Sequence, residues 1–92
     1  MEILGFVKSK SALQTRTFEG TQGTQLIKSV VVEITNGIDS LLCEANGALA
    51  EHLDKQNIDP NVLVGASVRL TVRETKDGKK FVNIYLRDLA VV

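Results

Sequence analysis

Ala66-Ser67-Val68-Arg69-Leu70-Thr71-Val72-Arg73-Glu74-Thr75-Lys76-Asp77-Gly78-Lys79-Lys80-Phe81-Val82-Asn83-Ile84-Tyr85-Leu86-Arg87-Asp88 is the stretch that decides the fold. Two alternations flank an Asp-Gly pair. Ala66, Val68, Leu70 and Val72 point one way, and Ser67, Arg69, Thr71 and Arg73 the other, because successive side chains leave a strand on opposite faces. Beyond the turn, Val82, Ile84 and Leu86 oppose Phe81, Asn83, Tyr85 and Arg87. Asp77-Gly78 tolerates the positive φ of a tight hairpin. The stretch predicts two antiparallel strands with one apolar face. On this reading Val68, Leu70, Val72, Val82, Ile84 and Leu86 are buried together.

Working outward, Asn57 to Val64 carries the one proline, Pro60, which ends a preceding helix. That helix is expected from Gly47 to about Gln56, with Asn46 as its cap and Leu49 and Leu53 on one face against the core. Ile38 to Ala45 is a strand returning from Asn36-Gly37, a hairpin signal. Gln25 to Thr35 is a strand built on Val30-Val31-Val32, whose branched side chains disfavour helix. Residues 18–24 form a polar loop with two glycines, Gly20 and Gly23. Ile3 to Phe18 is the first strand, in which Gly5 permits the sharp bend of a curled sheet. The expected fold class is all-β: a five-stranded OB-type Greek-key barrel with one short helix between strands three and four. An open antiparallel sheet with one packed helix is the alternative.

The 92 residues make one domain, 1–92. The single cysteine, Cys43, fits a reducing compartment, and no apolar run is long enough to cross a bilayer. With no basic stretch before an apolar run, Met1-Glu2-Ile3-Leu4-Gly5 does not look like a signal peptide, so the cytoplasm is expected. Cys43 between apolar neighbours reads as a small buried residue. His52 has no second ligand at metal spacing. Glu44 and Glu51 form no recognisable carboxylate dyad, and no phosphate-loop glycine pattern occurs. No catalytic residue, metal or cofactor is expected. The apolar Leu89-Ala90-Val91-Val92 is expected to be covered by a second copy, in a dimer or larger oligomer.

Formal net charge is zero, from eleven basic and eleven acidic residues. The sign is uneven: residues 33–59 hold six acids against Lys55, whereas residues 60–92 hold six basic and three acidic residues. The non-core face of the last two strands presents Arg69, Thr71 and Arg73 beside Phe81, Asn83, Tyr85 and Arg87, with Lys76, Lys79 and Lys80 at the turn. Cations neutralise phosphate and aromatic rings stack bases whatever the sequence, so this pattern suits single-stranded nucleic acid. Arg16 and Phe18 flank the glycine loop and are candidates to line the same groove. The acids from Glu33 to Asp59 are then expected to lie off the strand path. Outward arginine and threonine also fit an ordinary solvated face, and Phe81 or Tyr85 also fit a dimer contact.

From Val30 onward the layout resembles the bacterial single-stranded DNA-binding protein family. Val30-Val31-Val32-Glu33-Ile34 looks like its second strand, and Cys43-Glu44-Ala45-Asn46-Gly47-Ala48-Leu49-Ala50-Glu51 like its third strand running into a helix. Val64-Gly65-Ala66-Ser67-Val68 is similar to its start of strand four, and Asp77-Gly78-Lys79-Lys80 to its last turn. Asn46 stands where the family commonly has tryptophan, and the family's acidic-tipped tail has no counterpart after Val92. The short form is similar to primosomal or phage-encoded single-strand binders, which act as dimers. The resemblance implies a non-catalytic protein whose partner is single-stranded DNA, with RNA as the competing ligand. A protein-interaction module or an accessory subunit without nucleic-acid binding is the rival expectation.

Overall fold

The computed structural model describes residues 1–21 and 23–92, the side chain of Phe18 excepted. Among these residues the chain forms six strands and one helix: β1 Glu2–Lys10, β2 Gln14–Gly20, β3 Gly23–Thr35, β4 Ser40–Asn46, α1 Ala48–Lys55, β5 Val64–Glu74 and β6 Lys80–Val91. The fold is mostly β, and the sheet closes on itself. β1 pairs antiparallel with β5 through Glu2–Gly5 and with β3 through Phe6–Lys10. β3 continues to β4, β4 meets β6 in parallel at Glu44↔Tyr85, and β6 pairs with β5 along its length. The ring therefore runs β1-β3-β4-β6-β5 and back to β1.

Gly5 sits where β1 passes from one partner to the other. A Cβ there would lie 2.6 Å from the Thr35 carbonyl oxygen and 3.0 Å from an Ile34 methyl. No side chain fits at that distance, so glycine is what lets β3 cross so closely.

The core is lined by the inward residues of every ring strand. Val7 comes from β1, Val30, Val32 and Ile34 from β3, and Cys43 and Ala45 from β4. Val64, Ala66 and Val68 come from β5, Leu86 from β6, and Ala50 and Leu53 from α1. Leu53 is fully buried, and Leu49 and Ile84 pack against the core while partly exposed. The helix thus plugs the ring as its apolar stripe predicts.

Several expectations are corrected, among them the polar loop read over residues 18–24: Phe18–Gly20 and Gly23–Thr24 lie in the paired strands β2 and β3. The first strand read over Ile3 to Phe18 is two strands, which makes six rather than five. β1 and β2 follow one another along the same edge of β3, opposite β4, with a break at Ser11–Leu13. There the Ser11 N–H still donates to the Val31 carbonyl (2.9 Å), while its hydroxyl takes the place of the backbone acceptor and receives a 2.9 Å bond from the Val31 N–H.

The shared core is also shorter than the alternation implies. Leu70, Val72 and Val82 are 45 %, 67 % and 62 % exposed, because the outer half of the β5–β6 hairpin runs past the end of the ring.

Asn46 does not cap the helix. It stays in β4 opposite Ser29, and Gly47, at φ 63°, makes the turn without a side-chain cap. The helix is finished at its other end by Lys10, whose Nζ donates to the carbonyls of Leu53 (2.5 Å) and Gln56 (2.6 Å), a cation where the helix dipole favours one.

The loop after β3 spans four residues, 36–39, between the paired Thr35 and Ser40, rather than the two-residue turn that Asn36-Gly37 signals. The Asn36 side-chain oxygen accepts from the N–H groups of Ile38 and Asp39, and Gly37 takes φ 97°. No helix among the described residues is long and apolar enough to cross a membrane.

Candidate nucleic-acid interface

The β5–β6 register pairs Arg69 with Tyr85, Thr71 with Asn83 and Arg73 with Phe81. Antiparallel partners share a face, so the residues that alternation assigned to the non-core side stand together in three cross-strand rows. A bulge between Ser67 and Val68 shifts the register, so that Ser67 faces Asp88 and Val68 faces Leu86. Arg87 is therefore the extra residue of the bulge, and its direction departs from simple alternation.

At the tip, the Thr75 N–H donates to the Lys79 carbonyl (2.8 Å) and the Gly78 N–H to the Thr75 carbonyl (3.0 Å), with Gly78 at φ 81°. This turn holds Lys76 and Lys79 at the hairpin end, and Lys80 opposite Glu74. None of Arg69, Arg73, Lys76, Lys79, Lys80 and Arg87 makes an ion pair among the described residues. Six cations against Glu74, Asp77 and Asp88 leave this hairpin positive.

Two shallow grooves mark the face. Asn46, Leu49, Arg69, Thr71, Tyr85, Leu86 and Arg87 line one of about 510 Å³, between the hairpin and the start of α1. Arg73, Thr75, Phe81, Val82 and Asn83 line another of about 370 Å³ nearer the tip. Each combines one aromatic ring with at least one arginine. Tyr85 is half-buried, whereas Phe81 is exposed.

Arg16 reaches the same region by another route. From β2 its Nη2 donates to Glu44 Oε1 at 3.0 Å, and Glu44 is the β4 residue in register with Tyr85. Arg16 is thus a paired cation, and Glu44 is an acid beside the face. The expectation that all acids from Glu33 to Asp59 lie off this path is corrected by Glu44. Its neighbours Cys43 and Ala45 are buried, which turns Glu44 outward. The side chain of Phe18 lies outside the described residues.

Glu33 and Glu51 are held elsewhere, Glu33 by Lys8 at 3.7 Å and Glu51 by Lys28. The hydrogen bond from Lys28 lowers the Glu51 pKa below the ordinary carboxylate value. Cys43 is wholly buried, and loss of solvent pushes its thiol pKa up, the reverse of what a nucleophile needs. His52 is exposed on α1, and no group of metal-binding side chains forms among the described residues.

Sequence reasoning missed Glu44 and Leu49 as parts of the face. Alternation around Cys43 does turn Glu44 outward, but only the β4–β6 pairing sets it beside Tyr85. No protein-family model matches the chain, and no curated protein matches it in sequence.

Proposed function

We propose that the ring is an OB-type Greek-key barrel and that the chain is a non-catalytic, single-stranded nucleic-acid-binding protein, as its resemblance to bacterial single-strand binders implies. The observation that carries this reading is the register Arg69↔Tyr85 and Arg73↔Phe81 on one face. It alternates phosphate ligands with stacking platforms along a hairpin whose cations have no ion-pair partner among the described residues. Bases stack on Tyr85 and Phe81, while Arg69, Arg73, Arg87 and the turn lysines Lys76, Lys79 and Lys80 take phosphates. Arg16 contributes through Glu44. The protein works in the cytoplasm as a dimer or larger homo-oligomer, without metal or cofactor. The ligand is single-stranded DNA, with RNA as the alternative.

The test is a titration of the whole protein against single-stranded and duplex oligonucleotides at several salt concentrations. Single strands bind, with affinity falling linearly in log salt, and duplex binds poorly because its bases are already stacked. Failure to bind any single strand at low salt overturns the reading.

A second reading has its own observation. The opposite face of the same hairpin leaves Leu70, Val72 and Val82 in solvent, as a protein-interaction module or accessory subunit would. Binding to a partner chain that survives high salt, without nucleic-acid binding, favours that reading.

A further inference from the structure

A carboxylate on a phosphate-binding face weakens attraction along the whole path, yet Glu44 stands beside Tyr85. The two are Cα partners across the one parallel pairing between β4 and β6. Strands so paired lie about 4.8 Å apart with partner side chains on the same face. Glu44 is partly exposed, with 30 % of its side chain open, and Arg16 Nη2 holds Oε1 at 3.0 Å. Oε2 has no hydrogen-bond partner among the described residues. The pairing with Arg16 offsets the negative charge and orients the carboxylate. What remains is a hydrogen-bond acceptor one strand away from a ring on which a base would lie.

We propose that Glu44 is a specificity residue that selects bases bearing an exocyclic amino group, with cytosine and adenine favoured over thymine and uracil. The inference rests on the nucleic-acid reading above. A base stacked on Tyr85 turns its edge toward the neighbouring strand. Cytosine N4 and adenine N6 donate a hydrogen bond to a carboxylate there, a pairing that carboxylates make with cytosine in DNA recognition. Thymine and uracil present one ring N–H flanked on both sides by carbonyl oxygens, and those oxygens face the carboxylate. The repulsive element matters as much as the attractive one in setting such a preference. Arg16 is the positioning residue, acting only through Glu44.

The experiment compares the whole protein's affinity for oligo-dC, oligo-dT and an oligonucleotide of N4,N4-dimethyl-deoxycytidine, at mildly alkaline pH and one fixed low salt. Wild type binds oligo-dC about five-fold more tightly than oligo-dT, the scale of a single exposed charge-assisted hydrogen bond. The dimethyl analogue, which stacks but has no amino hydrogen to donate, falls to the oligo-dT level. Glu44→Ala brings the dC/dT ratio to about one while raising or preserving affinity for both, since an acid has left the face. Arg16→Ala lowers the ratio without abolishing binding. Equal binding of all three oligonucleotides by wild type, or a ratio that Glu44→Ala does not move, overturns this inference and leaves the binding reading intact. Failure to bind all three overturns the reading beneath it.

Discussion

Val68 and Val72 stand on the same face of the same strand, yet Val68 is 1 % exposed and Val72 is 67 % exposed. They belong to two different regions of one hairpin. At its root, Val64, Ala66 and Val68 look across the ring at β1, β3, β4 and the helix plug. Toward its tip Leu70, Val72 and Val82 are exposed. β4 pairs with β6 at Glu44↔Tyr85, and between Tyr85 and the turn Ile84 still packs against the core, while Val82 and Phe81 are exposed. The tip holds its shape through backbone pairing and the cross-strand pairs Leu70↔Ile84 and Val72↔Val82, each worth about 0.2–1 kcal/mol. Root and tip share a sequence pattern but answer to different forces: burial fixes the one and pairing the other. A tip freed from the core is also free to lie along a ligand.

The largest expected contrast is in stability. Leu86→Ala at the root removes a buried side chain and should cost about 2–5 kcal/mol. Val72→Thr at the tip keeps the branched Cβ and should change stability by less than about 0.5 kcal/mol. Urea midpoints for the two variants check this, and a comparable loss for both would mean that the tip is covered in solution. In binding the order reverses. Tyr85→Ala and Phe81→Ala should each cost about 1–3 kcal/mol of single-strand affinity with an unchanged salt slope, because stacking releases no counterions. Half-buried Tyr85 should stand at the upper end and exposed Phe81 at the lower, which a titration at one salt resolves. The smallest effect is a change of slope. Arg73→Ala should weaken binding to every single strand and reduce the log–log salt slope by about 0.7, the share of one phosphate contact. An unchanged slope would remove Arg73 from the phosphate path.

The difference between root and tip also shows how far the sequence could be read. Alternation in residues 66–73 and 81–86 identified both faces, because a period of two survives whatever packs on top. It could not show how many residues the other strands cover, since that depends on where β4 leaves β6. The break at Ser11–Leu13 was hidden because it has no glycine or proline to mark it. Asn46 looked like a cap by residue type, but its pairing with Ser29 keeps it in the strand and hands the turn to Gly47. On the candidate face, the arginines and aromatics were legible as a pattern. Glu44 was not, because its place beside Tyr85 comes from a pairing between strands distant in sequence.

The division of β1 between two partners has a kinetic consequence. The β3–β4 and β5–β6 hairpins join neighbours in the chain and can form within microseconds. The ring cannot close until Glu2 finds Ser67 and Phe6 finds Thr35, and the entropy of closing such loops slows every sheet dominated by distant pairings. Refolding should therefore extend into the millisecond-to-second range. While β1 is unplaced, the apolar faces of both hairpins stay open to other copies, so the yield of native protein after dilution from denaturant should fall as its concentration rises.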